Sequence, residues 1–161
     1  MNIKLANRVS KIKPSFTLQM ATIAADMISQ GKDVINFSVG EPDFNTPKHI
    51  IEAGKKAMDD GFTKYTSGAG MLELREAICK KLNRENKINY NPSDVLVSNG
   101  EKQSLSTACQ ALFEKGDNVI VFKPYWVSFP EFIRLSDSNP ILVETLSDQN
   151  FEPDFNDLKK K

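Results

Sequence analysis

VLVSNGEKQSLSTACQALFEKGDNVIVFKPYWVSFPEFIRLSDSNPILV, residues 95–143, switches repeatedly between two hydrophobic periods. Val95-Leu96-Val97, Val119-Ile120-Val121-Phe122 and Ile141-Leu142-Val143 are short continuous apolar runs, the pattern of strands buried on both faces. Between them, Lys102 to Phe113 sets Leu105, Ala108, Cys109 and Leu112 at helical spacing, and a second helix is expected around Val127 to Leu135. This β-α-β-α-β series predicts an α/β domain with a mostly parallel sheet flanked by helices.

The preceding sequence adds helices and one more strand. From Thr17 to Gln30, Met20, Ile23, Ala24, Met27 and Ile28 share one helical face, which Gly31 ends. Val34-Ile35-Asn36-Phe37 reads as a strand running into Ser38-Val39-Gly40-Glu41-Pro42-Asp43-Phe44, where glycine and proline exclude regular structure. Thr46-Pro47 resembles an N-cap with proline at the first helical position, followed by Ile50, Gly54, Ala57 and Met58 on one face. A further helix from about Met71 carries Leu74, Ile78 and Leu82. Near the end, Asp154 resembles an N-cap, and Phe155 and Leu158 begin an apolar face just before Lys159-Lys160-Lys161. The last strand then lacks the neighbours a parallel sheet needs on both sides, so the domain is expected to be truncated.

The 161 residues are 40% apolar and 26% charged, as in ordinary globular sequences. Lys+Arg 21 balances Asp+Glu 21, which gives no global electrostatic case for nucleic acid or an anionic membrane. No apolar run resembles a signal peptide or a bilayer span, and a cytoplasmic location is expected. Cys79 and Cys109 fall on separate helices without C-x-x-C pairing, which suggests neither a disulfide framework nor zinc. His49 has no partner at metal-ligand spacing and is assigned to the surface.

Three loops carry candidate chemistry, each with a plainer reading beside it. Ser98-Asn99-Gly100 leads into a helix at Glu101-Lys102, a place where backbone N–H groups and the helix dipole hold anions. The same glycine also serves any tight strand-to-helix turn. Lys123-Pro124-Tyr125-Trp126 follows the next strand on the carboxyl-end edge where open α/β sheets place ligands. Trp126 is either a stacking surface there or core filling with Phe129 and Phe132; spacing does not choose. Lys64-Tyr65-Thr66-Ser67-Gly68-Ala69-Gly70 either brings a phenol to a phosphate or exposes a tyrosine at a helix entry.

Taken in order, Ser38 to Phe44, Lys64-Tyr65-Thr66, Gly70 to Arg75, Val97 to Gln103 and Pro124 to Phe129 resemble the class I aminotransferases, most closely those of bacterial aspartate type. The resemblance implies the aminotransferase fold (fold type I of the pyridoxal-phosphate enzymes), with an N-terminal arm and part of a small domain over 1–46. The first portion of the large cofactor-binding domain would cover 47–161. It also implies that Gly40 offers its N–H to the substrate α-carboxylate and that Trp126 stacks on the pyridine ring of pyridoxal 5'-phosphate. Tyr65 would reach the phosphate of a neighbouring subunit, in a homodimer, while Gly100, Glu101 and Lys102 form the phosphate-side turn. Lys102, with Ser15, would recognise the distal carboxylate of a dicarboxylic substrate.

The activity implied is amino transfer between aspartate, or a similar amino acid, and 2-oxoglutarate. No lysine here matches the context of the Schiff-base segment, so the segment is expected to be inactive alone and to belong to a longer parent chain. Two alternatives stand beside this reading: a lyase or synthase on the same scaffold, or a non-catalytic regulator or fragment that keeps the fold.

Overall fold

The computed structural model describes residues 3–161. In chain order the elements are α1 (Asn7–Ser10), α2 (Phe16–Ser29), α3 (Lys48–Asp59), α4 (Leu72–Asn86), α5 (Gly100–Leu112), β1 (Asn118–Phe122), α6 (Phe129–Leu135), β2 (Asn139–Val143), β3 (Thr145–Leu146), β4 (Glu152–Pro153) and α7 (Phe155–Leu158). Two compact units divide them: residues 1–40 with 102–161, and residues 41–101.

In the first unit, β1 and β2 pair in parallel, with Asn118 opposite Asn139 and Phe122 opposite Val143. Parallel strands need a crossover, and α6 supplies it. Phe132 and Ile133 of α6 pack into the core with Val121 and Val143, and all four are buried. The turn after α6 is closed by Ser138, also buried, whose hydroxyl donates to the Glu114 carbonyl at 2.9 Å. Burial alternates along β1: Val119 and Val121 turn inward, whereas Ile120 and Phe122 stay 48% and 42% exposed. A one-sided pattern of this kind means that one face of the strand is uncovered within this chain. Short β3 and β4 pair antiparallel, and α7 begins as expected at Asp154, whose side chain accepts from the N–H groups of Asn156 and Asp157.

In the second unit, α4 ends at Lys87 in the left-handed conformation (φ 59°). Arg75 of α4 donates from Nη1 to the Pro92 carbonyl at 2.9 Å, which ties this helix to the turn before residues 95–97. Pro47 is itself the N-cap of α3, with no side-chain cap; its carbonyl accepts from Ile50 and Ile51. The cap therefore shifts one residue from the expected Thr46.

Two expected strands, 34–37 and 95–97, are not formed. A strand exists only through a ladder, and neither segment pairs with another strand among the described residues. Ser38 N–H donates to the Asn36 side chain at 2.9 Å. Val97 N–H donates to the Ala69 carbonyl at 3.0 Å.

Each unit leaves large apolar side chains uncovered. Phe37, Phe44 and Phe62 are among the exposed apolar side chains, at 90%, 86% and 65%. The 161 residues alone are therefore expected to aggregate and to bind hydrophobic dyes. Thermal melting with sedimentation checks this, and a sharp cooperative melt of soluble monomer would contradict it.

Candidate functional site

The first unit holds Ser15, Gly40, Lys102 and Trp126; the second holds Tyr65, Gly100 and Glu101. Within the first, Trp126 lies in the turn between β1 and α6. Its ring meets Phe129 edge-on, with centroids 5.5 Å apart and planes at 88°, and Phe132 at 5.9 Å and 66°. These contacts fix the indole plane. Lys102, in the first turn of α5, places its ammonium 5.0 Å from the centroid of the Trp126 ring. The structure thus brings together two residues 24 positions apart in sequence. Core filling and ligand contact turn out not to exclude each other at Trp126, whose edges pack while its side chain stays half-buried. A cleft of about 420 Å³ opens beside it, bounded by Leu105, Cys109, Phe113, Val119 and Tyr125. Burial raises the Cys109 thiol pKa, which keeps it protonated and weakly nucleophilic at neutral pH.

Ser15 is the N-cap of α2, its hydroxyl oxygen accepting from Leu18 N–H at 3.4 Å. Capping uses an oxygen lone pair and leaves the hydroxyl proton as a donor. A carboxylate that accepted this proton would also face the positive end of a 14-residue helix. Gly40 is exposed, and a side chain placed there would meet nothing within 4 Å.

Within the second unit, Tyr65 projects fully into solvent. Gly100 has φ +77°, and its N–H donates to the Ser98 carbonyl at 2.9 Å, a tight turn that throws the chain into α5. Apart from its chain neighbours and its own helix, nothing lies within 4 Å of where a Gly100 Cβ would stand. His49, as expected, is exposed on α3.

Several interactions had no signal in the sequence. Lys123 Nζ pairs with Glu144 at 2.5 Å, and this hydrogen bond raises the Lys123 pKa. The Lys123 carbonyl accepts from the Thr145 hydroxyl, and its N–H donates to Val143 at 2.9 Å, so the end of β1 is held on three sides. Glu131 of α6 binds both Arg134 and the backbone of Lys13. The Glu131–Arg134 pair is local to α6, whereas the Lys13 bond to Glu131 and the Lys123–Glu144 pair join segments that only the tertiary fold brings together. Among the described residues no cluster of His, Cys, Asp or Glu is suited to a metal, and no helix is long and apolar enough to cross a membrane.

The sequence model of the family "aminotransferase class I and II" matches residues 32–161. Aspartate aminotransferase of Bacillus subtilis is 43% identical over 157 residues, which is 98% of this chain and 40% of that protein. A bifunctional aspartate aminotransferase and glutamate/aspartate-prephenate aminotransferase of Petunia hybrida is 44% identical over 161 residues, 100% of this chain and 34% of that protein. Among solved structures, aspartate aminotransferase from Thermus thermophilus with maleate superposes with TM-score 0.92 at 41% identity, covering 99% of this chain and 42% of that one. The chain thus spans about two fifths of the length of the curated Bacillus relative, and it shares their fold across almost all of its own length. On family match, sequence identity and superposition alike, this chain belongs to the class I and II aminotransferases.

Proposed function

We propose that these residues form the substrate-facing and cofactor-facing parts of an aminotransferase that moves an amino group between aspartate and 2-oxoglutarate. The observation that carries this reading is the Lys102 ammonium held over the Trp126 indole, a cation fixed beside a flat aromatic surface. Pyridoxal phosphate has a group for each feature taken by itself: a heteroaromatic ring for the Trp126 indole, and an anionic group for a helix-entry turn such as that at Gly100. When bound, it supplies the electron sink for amino transfer.

Around it the chain's own residues have distinct tasks. Trp126 holds the ring, and Tyr65 and the Gly100-Glu101-Lys102 turn hold the phosphate. Tyr65 does so for the neighbouring subunit of a homodimer. Gly40 N–H binds the α-carboxylate of the amino or oxo acid. Ser15 and Lys102 bind the distal carboxylate, Ser15 as a hydroxyl donor and Lys102 as a point charge. Support for a dicarboxylic substrate comes from the Thermus relative, whose solved complex contains the dicarboxylate maleate. Turnover further requires an amine that forms a Schiff base with the cofactor, a role given to none of the residues named above. The domain division at 46/47 belongs to the same proposal.

The test is cofactor retention by the full-length parent. Trp126→Ala is expected to weaken pyridoxal phosphate binding by about 1–3 kcal/mol, the range for loss of aromatic stacking. Spectroscopic titration measures it. Unchanged affinity would leave Trp126 as packing for Phe129 and Phe132 only.

A further inference from the structure

We propose that Glu131 is a positioning residue for substrate recognition, locking the segment that carries Ser15 to the start of α6, next to the turn that carries Trp126; the proposal rests on the role assigned to Ser15 above. Glu131 lies in the first turn of α6, and its carboxylate is used on both oxygens. Oε1 accepts from Arg134 Nη1 at 2.5 Å, and Oε2 accepts from the backbone N–H of Lys13 at 3.1 Å, 118 residues away in sequence. The Glu131 and Arg134 side chains are only 18% and 24% exposed. An i, i+3 guanidinium pins the carboxylate, so the second oxygen meets Lys13 in one orientation.

From Lys13 to Ser15 the chain is short and stiff. Pro14 fixes its own φ, restricts Lys13 to extended conformations and offers no N–H of its own. Anchoring the Lys13 amide therefore also places the Ser15 hydroxyl at the start of α2. At the other end, Phe129 N–H donates to the Trp126 carbonyl at 3.0 Å and Glu131 N–H to the Ser128 carbonyl at 3.1 Å. Glu131 is thus built onto the same turn as the indole. The arm has a second attachment, Arg8 and Lys11 to Asp137 at 3.9 and 3.8 Å, but these ends are 51% and 57% exposed. Exposed pairs at such distances hold little. The Lys13 bond is exposed as well, but at 3.1 Å it is shorter and its acceptor is a carboxylate only 18% exposed and pinned by Arg134, so it decides where the segment sits. A cleft of about 600 Å³ beside it, lined by Pro14, Ser15, Tyr125 and Ser128, leaves the segment room to move once released.

The test uses the full-length parent with pyridoxal phosphate, comparing Glu131→Ala, Glu131→Gln and Ser15→Ala. Glu131→Ala is expected to raise KM for aspartate about 10-fold, as for loss of a hydrogen bond to a charged group, with kcat and the constants for phenylalanine changed much less. Hydrogen exchange at residues 12–16 should accelerate in the same variant. Glu131→Gln, which keeps one acceptor oxygen, should fall between Ala and the parent in both readouts and also serves if the alanine variant does not fold. Equal losses on aspartate and phenylalanine, or unchanged exchange, overturn the proposal. If Ser15→Ala is selective against aspartate and the Glu131 variants are not, only the positioning role fails. If Ser15→Ala itself shows no selectivity, the reading of Ser15 fails and takes the proposal with it.

Discussion

Lys102→Ala is expected to lower kcat/KM for aspartate and glutamate by about 10- to 150-fold in the full-length parent, equivalent to about 1.5–3 kcal/mol for a hydrogen bond to a charged group. Phenylalanine and aliphatic amino acids, which lack the second carboxylate, should lose much less. The physical basis is the placement of the ammonium 5.0 Å from the Trp126 ring centroid. A lysine side chain free in solution must give up rotamer entropy to meet a ligand. Lys102 is instead drawn to one position by the π face of the indole before any substrate arrives. Its positive charge is compact, so it attracts a carboxylate without demanding a bidentate geometry. Steady-state kinetics on aspartate and phenylalanine check the selectivity. Equal losses on both would reassign Lys102 to the phosphate side or to simple support of Trp126.

A second large effect is expected at a residue that touches no ligand. Gly70→Ala should destabilise the fold by about 2–4 kcal/mol, the sum of left-handed backbone strain and overpacking. Gly70 has φ +97°, and a Cβ there would stand 2.7 Å from Val97 Cβ and 2.8 Å from Val97 Cγ2. Neither contact is with the end of a flexible chain; both are with a β-branched side chain stiff at χ1. Val97 cannot retreat easily, because its N–H is bonded to the adjoining Ala69 carbonyl at 3.0 Å. Gly70 is also the hinge on which the Tyr65 loop closes, its N–H donating to the Ser67 carbonyl at 2.9 Å. Chemical denaturation of the full-length parent measures the loss. Val97→Ala in the Gly70→Ala background should recover the steric part and leave the strain. An unchanged denaturation midpoint in Gly70→Ala would show that the two segments are not pressed together.

The helices were the legible part of the fold, because their signal is local. The expected Thr17–Gln30 and Lys102–Phe113 are observed as Phe16–Ser29 and Gly100–Leu112, each within one or two residues. Amphipathic spacing and the stops after it need no partner to be read. Strands were harder for the opposite reason. Val34-Ile35-Asn36-Phe37 and Val95-Leu96-Val97 have the composition of strands, but a strand is completed by another strand, and none lies beside them among the described residues. At the site, the sequence suggested separately that Trp126 and Lys102 face a ligand; it did not suggest that the ammonium sits over the indole. Glu131 escaped notice altogether. Its partner is a main-chain N–H that any residue but proline would offer, so no side-chain pattern announces the bond.

In the function proposed, this chain supplies residues that recognise a dicarboxylate in a pyridoxal-phosphate transaminase. The most direct measurement is amino transfer from aspartate to 2-oxoglutarate by the full-length parent, with phenylalanine as the competing donor and with pyridoxal phosphate added or withheld. Transfer that requires the cofactor and favours aspartate, with that preference collapsing in Lys102→Ala, is the predicted result. Cofactor binding without any transfer, or transfer that ignores the second carboxylate, would contradict it.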